Sequence, residues 1–478
     1  MLIFFDRIMN NVHYLNNDYI IINFMGKAQR ILIAALGALG LSQPLMAQQA
    51  LDRYIQLGLD NNLVIQTRQV SLEKSMLALR EARSYFLPSS YLDAQYTLAQ
   101  GGRNISIPVG DLLNPVYQTL NQLTGTEKFP QVANVEEQLL PNNFYDLRIR
   151  TSVPVINPSL KANRHIKMQE VAIQENELQA YKRELVKDIK TAYYQYLMAD
   201  RAIRIFESAM GVVEQNLRLN QSLLANGKSL PAYVSRAEAE VVSVRNQWQN
   251  ARNEKEKARA YVNLLLNREL SDSVEIEDPG LASFMTDAIN QGYDSIEGRE
   301  ELKSLQLARD IRGSQYKLNK SYQVPRVNAF LDLAAQDFNF KVKSSSFFYL
   351  GGVQMTMPIF AGNRNLYKIR ESELDIRQSE ISARQTRKEL EMAAFTARSN
   401  AKNLYGNYLA SIKEEEASTR YYTLIDRGYR VGVNSFIEIL DARNQLTRSQ
   451  LQTALNKYRF LAAIADYERQ TTSYAFNK

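Results

Sequence analysis

Side chains able to do chemistry are sparse in this sequence. Beyond residue 47 there is a single histidine, His165, in the outer heptad region of a long helical stretch, and the 478 residues contain no cysteine. Thiol nucleophiles, disulfides, a zinc cluster and a lipid-bearing cysteine are thereby excluded. No P-loop is present, nor a GxGxxG after a strand, so nothing cradles a phosphate. The run Glu414, Glu415, Glu416 reads as a solvated helix face. The sequence therefore predicts no enzyme, no cofactor and no metal. Two acids stand apart from this background. In "VGVNSFIEILDARNQ", Glu438 and Asp441 are three residues apart and share one face of the helix that follows a turn. Carboxylates crowded together in this way attract cations and raise one another's pKa. An ordinary pair of surface acids is the plain alternative.

The elements that position those acids are bounded first by composition. With only 20 Gly and 12 Pro, the chain has too little punctuation for many short elements, and 45% apolar with 23% charged residues is ordinary for a folded protein. The net charge of +7 is spread thinly and forms no basic stripe, which argues against a nucleic-acid partner. "MGKAQRILIAALGALGLSQPLMAQQ" carries Lys27 and Arg30 before a short apolar run and ends in small residues, the pattern of an export signal. Residues 1–24 do not suit such a signal, so translation is expected to start at Met25. Residues 1–47 are excluded from the fold, and the Ile31 to Leu41 run is too short to span a bilayer.

The remainder reads as two repeats, 48–280 and 281–478. "LDRYIQLGLDNNLVIQTRQVSLEKSMLALREARSYFLPS" from Leu51 parallels a stretch from Met285, each a helix ending at a proline, Pro88 or Pro325. Period-two strands follow at about 90–100 and 144–154 in one repeat and about 326–334 and 347–358 in the other. Leu92, Ala94 and Tyr96 share one face; so do Leu147, Ile149 and Val153; so do Ala329, Leu331 and Leu333; so do Tyr349, Val353 and Met355. The second strand of each pair is expected to stop at a proline, Pro154 or Pro358, and turn directly into a helix.

That helix is very long. Leu185, Ile189, Ala192, Tyr196, Ala199, Ile203, Phe206, Met210, Val213 and Leu217 step by four and three without a slip, as do Leu390, Ala394, Ala397, Ala401, Leu404 and Tyr408 in the second repeat. Some 65 residues make a rod near 100 Å. Each rod reverses at a glycine, Gly227 or Gly432, and returns as a shorter heptad helix. Heptads alone fit a plain antiparallel coiled coil, and a secreted or periplasmic scaffold or adhesin without a pore is the rival reading. The strands point elsewhere. Four strands with one apolar and one polar face suit a transmembrane barrel but cannot close alone, and open edges are not tolerated in hydrocarbon. Two chains would give eight strands filled by side chains; three give twelve and a water-filled lumen.

The order helix, "FLPS", strand pair, "MPIFAGNRN", very long helix, glycine turn and "IEILDARNQL" resembles the TolC-like outer-membrane efflux family over about Gln48 to Ser473. The resemblance implies a mixed α and β membrane protein: a homotrimer with a shared twelve-stranded β-barrel in the outer membrane of a Gram-negative bacterium, continued by a periplasmic α-helical barrel closed at its tip. It implies an exit duct of tripartite efflux or type I secretion, with a periplasmic adaptor, an inner-membrane pump of RND or ABC type, and the lipid bilayer as partners. The turns Asn226, Gly227, Lys228 and Val431, Gly432, Val433 then become adaptor-docking points. Glu438 and Asp441 match the family's tip acids, so threefold symmetry would gather six carboxylates into a ring. The family's Arg to Asp tip link falls on Asn434 and Tyr233 here and is expected to be missing. A connection of roughly forty residues, Gln100 to Asn143, is expected outside the cell as an inert cap or a lid.

Overall fold

The structure, a computed structural model, describes residues 49–280 and 295–474. The export signal and residues 281–294, which open the second repeat and include the stretch from Met285, lie outside them. Each long rod is a single helix. Helix α4, Pro158–Ala225, follows α1 (Gln49–Asn61), α2 (Leu63–Ser84) and a short α3 (Val109–Thr124). Its 68 residues give a rod of about 100 Å. Asn157 starts it by accepting the Ser159 N–H at 3.1 Å, and Pro158 takes the first-turn position where no amide donor is missed. Helix α5, Pro231–Leu265, returns alongside it. In the second repeat α6 (Glu300–Lys320) precedes the 67-residue α7 (Arg364–Arg430), and α8 (Phe436–Thr471) returns.

The helices form one layer with two sets of lanes. Far from the sheet the order is α5, α4, α8, α7; nearer the sheet it is α2, α4, α6, α7. Thus α2 continues the lane of α5, and α6 that of α8. The heptad positions fill the seams: Leu185, Ile189 and Ala192 of α4, Ala394 and Ala401 of α7, and Leu461 of α8 are almost wholly buried. A strap at 266–280 and helix α1 cover one side of the layer. There the Tyr193 hydroxyl donates to the Glu275 and Glu277 carbonyls at 3.1 and 3.2 Å, and that of Tyr196 to the Val274 carbonyl at 3.0 Å.

At the two places where lanes change helix the chain uses different chemistry. The first repeat's leading helix, expected as one piece, breaks at Asn62. The Asn62 Oδ1 caps α2 by accepting the Val64 and Ile65 N–H groups, while its Nδ2 donates to the Leu265 carbonyl at the end of α5, 3.0 Å away. Gly58 sits close by, where a Cβ would fall 2.4 Å from Ile189 Cδ1. In the second repeat Arg299 and Arg469 both donate to Glu301, at 2.8 and 2.7 Å, and Arg469 also to Glu184 at 3.0 Å. Arg183 donates to Glu300 at 2.9 Å.

The strands β1 (Ser89–Thr97), β4 (Phe144–Ile156), β5 (Arg326–Phe338) and β6 (Phe347–Thr356) form one antiparallel sheet in that order, and a small hairpin, β2 (Asn104–Ile107) with β3 (Val135–Gln138), stands apart. Register places Leu92, Ile149, Leu333 and Tyr349 in one row. This face is apolar and exposed, as the alternation predicts. The other carries Asp93, Arg148, Arg150 and Asp332, with Arg150 held on Asp332 by two bonds of 2.7 and 2.6 Å. The outer edges of β1 and β6 have no strand partner within the described residues.

Two expectations need correction. Pro154 is no boundary: β4 runs on to Ile156 through a bulge, and the helix begins at Pro158. The bulge accommodates the residue that cannot donate to the ladder. Pro358 does not lead straight into a helix either, since β6 ends at Thr356 and α7 starts at Arg364. Pro88 and Pro325 do fall immediately before β1 and β5. The Gln100 to Asn143 connection carries structure of its own, the hairpin of β2 and β3 and helix α3. Asn114 and Asn121 on α3 each clamp the returning backbone through both its carbonyl and its amide, at Val132 (2.9 and 2.8 Å) and at Phe129 (2.8 and 3.1 Å).

Candidate functional site

The tip is built from two helix reversals. In each, the glycine has positive φ, +69° at Gly227 and +80° at Gly432. Both positions are left-handed, the region where a Cβ is costly. The Lys228 N–H donates to the Leu223 carbonyl at 2.8 Å, and the Val433 N–H to the Gly428 carbonyl at 2.8 Å, so each turn closes by a six-to-one bond. Asn226 and Val431 thus end the two rods, and Val431 and Val433 stand 75% and 79% exposed.

Glu438 and Asp441 are both exposed on the first turns of α8. Glu438 is tethered, however. Its carboxylate accepts the Ser435 N–H at 2.6 Å, while the Ser435 hydroxyl accepts the Glu438 N–H at 3.3 Å. This capping box holds the Glu438 carboxyl below its usual range, chiefly through the Ser435 backbone donor. Within one chain the shift thus runs opposite to the rise expected of a crowded ring.

The two turns meet through an aromatic contact that includes Tyr233, one of the two positions of the missing tip link. Tyr233 of α5 packs against Phe436 of α8 with ring centres 5.7 Å apart, and Tyr429 of α7 lies 6.3 Å from the same ring. Ala237, Phe436 and Ile439 form a small buried core around them. Asn220 donates to the Tyr429 hydroxyl at 3.1 Å. Asn434 folds back over Gly428, where a Cβ would fall 1.8 Å from its Oδ1. Between the hairpins Arg443, only 3% exposed, is paired with Glu240. Serine followed three residues on by glutamate, "SFIE", was a legible sign of the capping box. Nothing in the sequence could have joined Arg443 to Glu240, 203 residues away. His165 is exposed beside Gln169, and among the described residues no cluster of His, Cys, Asp and Glu could hold a metal. No described helix is long and apolar enough to cross a membrane, which says nothing of the sheet.

Residues 145–268 and 292–466 match the family described as outer membrane efflux protein. The chain belongs to that family. Its members are outer-membrane channels that reach into the periplasm, and they are not enzymes. The fold is similar to that of the CmeC outer membrane channel of Campylobacter jejuni, with a TM-score of 0.70 at 14% identity over 88% of this chain and 85% of that one. It is similar also to the outer membrane protein VceC of Vibrio cholerae, with a TM-score of 0.71 at 13% identity over 89% of this chain and 98% of that one. An uncharacterized protein of Haemophilus influenzae is 22% identical over 285 residues, 58% of this chain and 62% of the relative's length. The match thus spans under two thirds of that relative.

Proposed function

We propose that three copies of this efflux-family chain close into one duct, a twelve-stranded barrel continued by a helical tunnel, and that it serves as the exit of a tripartite efflux or type I secretion system. The observation that carries this reading is a sheet with an exposed apolar face and two unpaired edges, which in a bilayer must be satisfied by neighbouring copies. A second feature supports it. Helix α7 bears Tyr367, Leu374, Ile381, Phe395 and Leu409 at multiples of seven, all at least 45% exposed, and α2 bears Leu63, Val70 and Leu77, each at least 54% exposed. When β6 of one copy pairs with β1 of the next, α7 and α2 run side by side, with Leu374 level with Leu77 and Ile381 with Val70. Such stripes are the seam of a coiled coil awaiting its partner. The scaffold reading leaves the apolar sheet face unexplained.

At the tip, the exposed Val431 and Val433 with Asn226, Gly227 and Lys228 dock helical hairpins of a periplasmic adaptor, itself bound to an inner-membrane pump of RND or ABC type. Glu438 and Asp441 form the acidic ring that selects cations. The test is native mass spectrometry of the detergent-extracted protein, followed by conductance in planar bilayers with trivalent cations added on the tip side. A trimer whose block disappears in the Glu438→Gln, Asp441→Asn double variant is expected. A stable monomer sinks the duct; block unchanged in the variant sinks only the ring.

A further inference from the structure

A recess of about 710 Å³ lies in the helical layer where α4 is flanked by α5 and α8. Small residues line it, Ala202 of α4, Ala251 of α5 and Ala454 of α8 among them. The walls are Tyr194, Met198 and Tyr458, with Tyr261 toward the mouth. Its position in the wall follows from helical geometry. Tyr193 and Tyr196 point into the strap, and Met198 and Ala202 fall on the opposite side of α4, since each residue turns the helix by about 100°. The recess therefore opens away from the strap. A layer that closes into a tube keeps its extra elements on the convex side, so on the duct reading, on which this step rests, the recess faces the tunnel.

The rim is charged unevenly. Glu254 is neutralised by Lys257 on the next turn, 2.8 Å away, while Arg459 stands exposed on the facing helix. An apolar cleft with aromatic walls, a volume within the range of ligand pockets, and at its lip one positive charge with no ion-pair partner among the described residues fits an aromatic or alkyl body bearing a single acid group. We propose that this recess is a binding site in the duct wall for amphiphilic anions. A transported molecule of that class pauses there with its apolar part among the tyrosines and its acid toward Arg459. The duct is then not wholly indifferent to its cargo.

The lone tryptophan, Trp248 on α5, makes the site measurable. Its indole donates to Glu207 of α4 at 3.3 Å, which places it about 70 Å along the rod from Pro158 and from any detergent around the sheet. Energy transfer from Trp248 to 8-anilinonaphthalene-1-sulfonate thus reports probe held in the helical wall, not probe in the micelle. With the trimer checked by native mass spectrometry, transfer is expected to saturate at one probe per chain. Ala202→Phe, which fills the recess, abolishes it. Arg459→Gln, on the exposed rim, weakens the sulfonate probe at least five-fold and leaves the neutral N-phenyl-1-naphthylamine unchanged. An intact trimer without saturable transfer, or transfer that survives Ala202→Phe, overturns the site. Equal response of both probes to Arg459→Gln overturns its preference for anions. A monomer in the mass spectrum counts instead against the duct, and removes the tunnel from which the recess would be reached.

Discussion

The two junctions where one helix hands its lane to the next have the same geometry and opposite chemistry. Between α5 and α2 a single carboxamide serves both ends: Asn62 supplies an acceptor to the starting helix and a donor to the finishing one. Between α8 and α6 no side chain caps the first turn, and charges bridge the gap instead. Glu300 and Glu301 lie where the positive end of α6 favours them, and Arg183, Arg299 and Arg469 close on them from three elements. A neutral cap has no titration to lose. A buried ionic cluster is rigid while complete and costly when any member is removed. The repeats are therefore alike as scaffolds and unlike as materials: the second holds its middle by a device that pH can open.

Four experiments break or sharpen that contrast. The largest effect is expected from Arg469→Ala, which takes one of two arginines from Glu301 and leaves Glu184 to Lys187; losing charge-assisted bonds at groups about a third exposed costs about 1.5–3 kcal/mol. Hydrogen exchange of amides in the first turns of α6 should accelerate accordingly, with α2 unchanged. Next comes Asn62→Ala, which removes a cap and the bond to Leu265 and is expected to cost about 1–2 kcal/mol, read in the first turn of α2 by the same method.

Acid should separate the junctions without mutation. Burial pushes the Glu301 carboxyl up, but bonds from Arg299 and Arg469 outweigh it and hold it at about 2, against an ordinary value of 4.5. Because the folded value is the lower one, its stabilisation is complete above about pH 4.5 and fades as pH falls toward 2. Exchange in α6 should rise through that window and α2 should not follow. A matching rise in both would show that the clusters are not independent. The smallest effect is expected at Arg387 and Glu297, a surface pair 2.6 Å apart: Glu297→Gln should leave exchange in α6 and α7 unchanged.

Much of this architecture was legible. Heptads such as Leu185 to Leu217 fixed the seams, and period-two runs put Leu92, Ile149, Leu333 and Tyr349 on one face before their register was known. These patterns are local, and burial enforces them residue by residue. The break at Asn62 was hidden because apolar residues, Leu59 before it and Leu63 after it, continue on both sides of a residue whose role is to end one helix and begin another. The ionic junction joins residues of α4, α6 and α8 that only the closed layer brings together, and the Arg443 and Glu240 pair at the tip is hidden for the same reason. Pro154 misled because a proline at a bulge looks, in sequence, like a proline at an end. For Glu438 the shared face with Asp441 was read correctly, but the hydroxyl three residues before it was overlooked.

The pairing of β4 with β5 also orders events in time. Arg150 meets Asp332 across 182 residues of chain, whereas α4 meets α5, and α7 meets α8, by folding back at a single turn. Contacts close in sequence form quickly, and those that must wait for a distant segment form late. The helical hairpins can therefore fold as soon as each is exported, while the sheet has no centre until the second repeat arrives. For that interval only the half of its apolar face carried by β1 and β4 can form. The part of the molecule most prone to aggregate in water is the last to take shape.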